Sequence, residues 1–356
     1  MIGIVIREIS FLKVLTPIAR ELHNSGAKYI LYYMNKLLPG KGYATPTKDR
    51  LVSLVPELIH NSHKAVPFNS EKQLLNSLVQ DKISKFVSLE VWLCFRSILK
   101  DLKKNNIKLY NIQYLTDSIL QPSAAITAMD RVYYTSEHIM KMQQKFSGTK
   151  FDPKRDRCLG TPLFSSVRKN NGSGDILVLT PNIRVEHVGS TFGSKDNLIK
   201  IFSKLAAGGD LIFKTRKKQW LPQELKKYAK TIVDDSKQIY PPATVELFEK
   251  CYMTVLFCST GVYEAVLANN RVLNIELNSL SFLGWKEPKK SIFYEPHNFD
   301  GVTETIKQHT ILGDDWKFEP KKIDQDKRKI WINKYIGKTI ANSDKLIAED
   351  ILLHVL

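Results

Sequence analysis

Short runs in which every residue is apolar alternate along the chain with stretches whose apolar residues recur every three to four positions. Met1-Ile-Gly-Ile-Val-Ile6 opens the chain as such a run, and Arg7 and Glu8 follow it directly, so it reads as a first strand and not a signal peptide. Thr16 to His23 has helical spacing, with Pro17 near its first turn and Gly26 past its end, and Lys28 to Tyr33 is a second strand. A β-α-β opening of this kind marks a parallel sheet. Further on, Glu71 to Val79 and Phe95 to Lys104 read as helices, and Leu109 to Tyr114 and Val132 to Tyr134 as strands.

The pattern restarts after Asn170-Asn-Gly-Ser-Gly174, a polar and flexible segment suited to a linker. Beyond it, Asp175 to Thr180, Asp210 to Arg216 and Thr231 to Asp235 read as strands, and Lys195 to Leu205 and Thr244 to Lys250 as helices. Met253 to Phe257 is a buried strand, Cys258 to Gly261 a small-residue turn, Val262 to Ala268 a helix and Val272 to Ile275 a strand. Phe299 to His309 reads as a capped helix, the charge run Lys321 to Lys329 as a solvated helix start, and Trp331 to Ile336 and Asp344 to Leu353 as closing amphipathic helices. The expected domains are residues 1–169, residues 175–325, and a terminal helical segment 326–356.

The chemistry sits at predicted strand ends, where open α/β sheets keep their ligands. Ser259-Thr-Gly261 lies between a strand and a helix start, a place that suits an anion, although the same triplet also serves as a plain helix cap. Glu264, one turn later, could take sugar or ribose hydroxyls. Lys214 and Arg216 share a face at one strand end, as a diphosphate would require. Asn182 and Arg184 follow another strand, and Tyr240 precedes the helix leading to the turn. In the first half, Glu8 and Asp117 are candidate catalytic carboxylates at strand ends, each equally readable as a solvated loop residue. No GxGxxG follows the first strand, which counts against a dehydrogenase.

Length, composition and charge narrow the partners. A chain of 356 residues suggests about two domains, and 43% hydrophobic and 10% aromatic content are globular values. The cysteines, Cys94, Cys158, Cys251 and Cys258, form no CxxC pair, which points to free thiols, a reducing compartment and no structural zinc. The net charge of +17 is uneven: residues 1–165 hold 24 basic against 13 acidic side chains. A basic first half draws the chain toward something anionic, whether nucleic acid, an anionic membrane surface or a phosphorylated acceptor, while a generally lysine-rich proteome gives the same excess. The basic residues lack aromatic interleaving and an RNA-module signature, so nucleic acid is not an expected partner.

Two Rossmann-like halves, a linker and a late Ser-Thr-Gly-x-x-Glu-Ala turn resemble the GT-B superfamily of nucleotide-sugar enzymes. This group includes surface-polysaccharide and lipid-A-disaccharide-synthase glycosyltransferases, glycerophosphotransferases and UDP-N-acetylglucosamine 2-epimerases. The matching pieces are Ile2–Ile6 with the first helix, Tyr133-Tyr-Thr-Ser136, Leu159-Gly-Thr-Pro-Leu-Phe164, Thr180-Pro-Asn-x-Arg184 and Phe257-Cys-Ser-Thr-Gly-Val-Tyr-Glu-Ala265. The resemblance implies an α/β fold of two Rossmann-like domains with parallel sheets facing a central cleft, the C-terminal helices crossing back to the first domain. It implies a glycosyltransferase of EC class 2.4, with Ser259, Thr260 and Gly261 on the diphosphate of a UDP-, CDP- or GDP-linked sugar and Glu264 on the ribose. Arg184, Lys214 and Arg216 would neutralise the leaving nucleotide, with no metal or other cofactor required. The base would be Glu8, Glu90 or Asp117, and the acceptor a glycan or lipid-linked hydroxyl. A cytoplasmic protein, peripheral at the inner face of the membrane, is the expected setting. The His of the epimerases is missing from Thr180-Pro-Asn-Ile-Arg184, and a Glu-x7-Glu motif is absent, which favours an inverting transferase. A polyol-phosphate transferase, a 2-epimerase or a silent nucleotide-sugar binder are the alternatives.

Overall fold

Ile2–Ile6 and Tyr29–Met34 are buried at every position, as strands covered on both faces must be. They are β1 and β2 of a sheet that continues with β3 (Lys64–Phe68), β4 (Lys85–Leu89), β5 (Lys108–Ile112), β6 (Arg131–Tyr134) and β7 (Asp156–Cys158). The order is β3-β2-β1-β4-β5-β6-β7, and every pairing is parallel. The computed structural model describes the chain apart from residues 37–44, 114–120, 173, 182–185, 187, 216–220, 235–242, 258, 260, 278–300, 320, 339 and 355–356.

The second sheet has β8 (Ile176–Leu179), β9 (Leu211–Thr215), β10 (Ala229–Asp234), β11 (Met253–Leu256), β12 (Arg271–Glu276) and β13 (Glu304–Lys307). Its order, β10-β9-β8-β11-β12-β13, repeats the winding of the first, again with parallel pairs throughout. The described residues divide into two compact units, the first drawn from 1–166 and 333–356, the second from 167–332. Asn170 and Asn171 are fastened to the second unit: Asn170 donates its N–H to Ala268 O (2.7 Å) and its Nδ2 to Asn270 Oδ1 (2.8 Å), and Asn171 donates to Glu249 O (2.9 Å).

Several elements differ from the pattern-based expectation, each for a physical reason. The first helix runs Leu12–Asn24 after a turn of 3-10 helix, so Pro17 lies inside it and not near its start. Residues 304–307, expected to be helical, form β13; Glu304, Thr305, Ile306 and Lys307 alternate in exposure, and the parallel register with Leu273–Glu276 supplies their backbone partners. β3 carried no apolar signal because it is an edge strand, mostly exposed or half-buried, and it tolerates Pro67 for the same reason. The expected loop at Gly189–Gly193 is largely a short helix, Val188–Phe192. The charge run does start a helix, and that helix, Gln325–Tyr335, continues through Trp331 as one element. Among the described residues no helix is long and apolar enough to cross a membrane.

The second unit's core is centred on aromatic rings: Phe202 packs edge-on to Phe213 and stacks on Phe257, which meets Phe192. The first unit closes with the chain's last segment. Ser136 donates its hydroxyl to Lys334 O (2.6 Å) and caps the helix Glu137–Ser147 through the N–H of Ile139. Gly337 has a φ of 97° and lies against the Thr135 carbonyl so closely that a Cβ would overlap it. The helix Ser343–Leu353 then packs on Leu12–Asn24. Its Asp350 accepts from Arg131 Nε (3.1 Å), Tyr133 Oη (2.8 Å) and Arg157 Nε (3.1 Å). Lys85 Nζ reaches the carbonyls of Ile351 and Leu352 at the helix end.

Burial works to raise the Asp350 carboxyl, but the hydrogen bonds from Tyr133 and Arg157 and the charges of Arg131 and Arg157 outweigh it and hold the carboxyl below its ordinary value. A carboxylate with a depressed folded value stabilises the fold fully above its unfolded value and loses that contribution as the pH falls through the folded one. Asp350→Ala leaves Arg131 buried without its partner and is expected to cost about 3 kcal/mol at neutral pH, after discounting the more exposed Arg157. Urea unfolding from pH 7 downward checks it: the gap to wild type should close below about pH 4. An unchanged unfolding midpoint, or a gap that persists in acid, would remove Asp350 from this role.

Candidate functional site

Each sheet reverses its strand order once at its centre, between β1 and β4 in the first unit and between β8 and β11 in the second. At such a point the two connecting segments leave toward opposite faces, and a crevice opens at the carboxyl ends of the strands. Of the described candidates, Glu8 and Glu90 fall at the first of these places and Ser259, Gly261 and Glu264 at the second.

In the second unit, β8 ends at Leu179 and β11 at Leu256. The turn after β11 is closed locally. Ser259 Oγ accepts from Gly261 N–H (3.3 Å), Ser259 O from Val262 N–H (3.2 Å), and Gly261 O from Ala265 N–H (3.0 Å). Ser259 thus folds the turn on itself without capping the helix, whose N-cap is Gly261 and takes no side-chain hydrogen bond; its hydroxyl keeps a proton to donate. Gly261 lies close to the end of β8: a Cβ there would meet Leu179 Cδ1, the tip of a half-buried side chain that would have to turn aside. The helix Val262–Leu267 buries Val262, Tyr263, Ala265 and Val266 and leaves Glu264 half-buried in its first turn.

Lys214 stands at the end of β9, next to β8, and is only 6% exposed. Its Nζ donates to Thr215 O (2.9 Å), and its carbonyl accepts both the N–H (3.1 Å) and the hydroxyl (2.9 Å) of Thr180. Phe213, its neighbour in the strand, points into the aromatic core, so Lys214 projects from the opposite face of the sheet. The unit thus brings Ser259, Gly261 and Glu264 together at one strand end and keeps a buried cation two strands away. Asn182, Arg184, Arg216, Tyr240 and Thr260 lie outside the described residues.

Two supports of this site were not legible in the sequence. Arg328 donates Nε to Val266 O (2.7 Å) and Nη2 to Leu267 O (2.6 Å), closing the carboxyl end of the helix Val262–Leu267. Trp331 lies on Tyr263 with ring centroids 5.3 Å apart. Arg328 was hidden in the Lys321–Lys329 charge run, whose other charged members are exposed. A positive charge one helical turn before Trp331 was the available signal, through the i,i+3 spacing. At the amino ends of β11 and β12, Asn270 Nδ2 donates to Thr254 Oγ1 (2.9 Å), a buried polar pair that ties these strands together.

In the first unit, Arg7 and Glu8 follow β1, and Glu90 follows β4. Glu90 adopts φ 49° and ψ 42°, a left-handed conformation that costs a residue with a Cβ about 1–2 kcal/mol. Three hydrogen bonds hold the turn there: Val91 N–H to Asn111 Oδ1 (2.8 Å), Cys94 N–H to Glu90 O (2.9 Å), and Gln121 Nε2 to Glu90 Oε2 (2.9 Å). Gln121 is itself locked to buried Gln143, donating its N–H to Gln143 Oε1 (2.8 Å) and accepting from Gln143 Nε2 (2.7 Å). Arg7 donates to the Cys94 carbonyl. Burial pushes the Cys94 thiol up to about 11, with Arg7 pulling it down and Glu90 and Glu8 pushing it up. Both carboxylates and the guanidinium thus lie near enough to act on this thiol, which stays protonated and inert. Glu8 is half-buried and its side chain caps nothing, although its carbonyl accepts from Phe11 N–H (3.0 Å). Asp117 lies outside the described residues.

No family model and no curated protein sequence matches the chain. Solved structures do. The chain is similar to UDP-GlcNAc 2-epimerase from Neisseria meningitidis bound to UDP-GlcNAc, with a TM-score of 0.57, 10% identity, and 99% of each chain covered. It is similar to MurG of Acinetobacter baumannii, with a TM-score of 0.52, 9% identity, and 98% of this chain and 99% of that one covered. It is similar to UGT71G1 of Medicago truncatula complexed with UDP-glucose, with a TM-score of 0.51, 9% identity, and 100% and 95% covered. At these identities the likeness is one of fold, and the fold is GT-B.

The contact between Gly261 and Leu179 gives a direct check on the crevice wall. Gly261→Ala is expected to destabilise the protein by about 1 kcal/mol, the lower end of overpacking, because the Leu179 tip can shift. The loss should be smaller in a Leu179→Ala background, a coupling that a double-mutant cycle of unfolding free energies measures. Strictly additive losses would mean that the two strand ends do not meet there.

Proposed function

We propose that the chain is a glycosyltransferase that moves a sugar from a nucleotide donor to a hydroxyl acceptor. The observation that carries the reading is the switch point between β8 and β11, where the Ser259–Gly261 turn follows the carboxyl end of β11 against Leu179 and Glu264 stands in the next helix. The binding of UDP-GlcNAc and UDP-glucose by structures of the same fold supports it.

In this reading the second unit holds the donor. Ser259, Thr260 and Gly261 take the diphosphate and Glu264 the ribose hydroxyls. Lys214, Arg184 and Arg216 offset the charge that develops on the leaving nucleotide, so no metal is called on. Asn182 and Tyr240 complete the donor set. The first unit supplies the acceptor side and the base. Glu90 is the first choice because Gln121 holds its carboxylate in place, and a carboxylate so held can accept the acceptor's hydroxyl proton. The acceptor oxygen then bonds to the anomeric carbon. The bond from that carbon to the phosphate oxygen breaks with its electron pair going to the nucleotide, and configuration inverts. The acceptor is a glycan or lipid-linked hydroxyl, met by a cytoplasmic protein whose basic first unit is drawn to an anionic membrane surface.

A 2-epimerase is the second reading, favoured by the somewhat higher likeness to the Neisseria epimerase, at a TM-score of 0.57. Products separate the two: a transferase releases free nucleotide only when an acceptor is present, and an epimerase interconverts two sugars that both keep the nucleotide.

Calorimetric titration with UDP, CDP and GDP and their sugars identifies the donor. Against the best binder, Glu264→Ala should weaken affinity by about 1.5–3 kcal/mol, the value of a charged hydrogen bond. Unchanged affinity would take the ribose away from Glu264. Glu90→Gln should lower turnover by about 10²–10⁴-fold while donor affinity stays put. Full turnover in that variant would move the base elsewhere.

A further inference from the structure

The turn that ends the helix Glu137–Ser147 carries two phenylalanines that the core of the first unit leaves outside. Phe146, on the last helical turn, is 50% exposed, and Phe151, three residues past Gly148, is 53% exposed. A single exposed apolar residue needs no explanation, but two large rings five positions apart on one turn do. Met142, one helical turn before Phe146, is half-exposed beside them.

The turn is ordered, so these rings are presented and not merely loose. Gly148 takes the left-handed conformation that ends the helix, with φ 68°. Ser147 Oγ bonds Gln143 O (2.8 Å) and the Thr149 hydroxyl (2.7 Å). Asp156, 3% exposed, accepts from the Asp152 N–H (3.0 Å) and from Nε and Nη2 of Arg155 (both 2.9 Å). Arg155 in turn donates to Lys150 O (3.1 Å), directly before Phe151.

The surroundings are basic. Lys141, Lys145, Lys150 and Lys154 are all exposed, and Lys141 and Lys145 share a helix face. Residues 137–157 hold six basic and three acidic side chains. Two of the acids serve the turn: Asp156 pairs with Arg155, and Asp152 accepts the Lys154 N–H (2.8 Å). The third, Glu137, stands at the far end of the helix.

We propose that this turn is a membrane-docking surface. Phe146 and Phe151 enter the boundary between headgroups and acyl chains of an anionic bilayer, and Lys141, Lys145, Lys150 and Lys154 meet its headgroups. The chemistry favours a bilayer over a protein partner. Two rings on a turn bury far less than the roughly 800 Å² per side of a stable protein interface. A bilayer asks only for apolar insertion and positive charge, and lysine stems can lie along the apolar layer with their ammonium groups in the headgroups. The inference rests on the membrane-docking part of the proposed function and is independent of the sugar chemistry.

Co-sedimentation with vesicles of phosphatidylglycerol in phosphatidylcholine, against phosphatidylcholine alone, tests it. Wild type should bind the anionic vesicles and release at high salt. Phe146→Ser/Phe151→Ser should bind about tenfold or more weakly with an unchanged thermal unfolding midpoint. Lys145→Glu/Lys150→Glu should lose most of the salt-sensitive binding. If wild type does not bind, membrane docking fails as a whole. If wild type binds and the phenylalanine variant binds equally well, docking stands and this turn is not its site. If the rings instead hold a second copy, sedimentation velocity will show a dimer that the phenylalanine variant loses, which also overturns the proposal. The nucleotide titrations are unaffected by each of these results.

Discussion

Parallel strand pairing is the constraint on which the rest depends. A parallel sheet needs a crossover for every pair of strands, and the crossovers cover both faces. The central strands β1, β2 and β11 are accordingly buried at every position. With the faces closed, a ligand can reach the sheet only at an edge, and the winding opens the carboxyl edge at one place in each unit. That geometry is why Glu8 and Glu90, far apart in the chain, follow neighbouring strands of one sheet, and why the Ser259–Glu264 stretch meets Leu179 at the end of β8 in the other.

Holding those strand ends open has a local cost that the structure offsets nearby. Glu90 sits in a left-handed turn, and Asn111, Gln121 and the Cys94 amide secure it. The short helix behind Gly261 would be marginal alone. Arg328 closes its carboxyl end and Trp331 covers Tyr263. In the first unit the last helix is fixed through Asp350, which meets two guanidiniums and a phenol. In both units the C-terminal segment therefore stabilises elements laid down much earlier in the sequence.

The parallel architecture was legible because buried strands leave unbroken apolar runs, as at Ile2–Ile6 and Met253–Leu256. Edge strands leave weaker ones: Ile232 and Val233 were enough to mark β10, but β3 went unseen and β13 looked like part of a helix. The strand-end carboxylates and the Ser-Thr-Gly turn could be found from their position after apolar runs. Their supports could not: Gln121 and Gln143 are 22 residues apart, and nothing in local periodicity marks a buried amide pair. Phe146 and Phe151 were equally hidden, because an apolar residue in a sequence is assumed to point inward until its exposure is measured.

The central claim is that the second unit binds a nucleotide diphosphate at the carboxyl ends of β8 and β11. A crystal structure with a bound UDP-sugar tests it most directly. The diphosphate is predicted within hydrogen-bond distance of the Ser259 hydroxyl, beside the Gly261 turn, with the ribose hydroxyls on Glu264. A nucleotide seated on the first sheet, or at the amino ends of the strands, would contradict it.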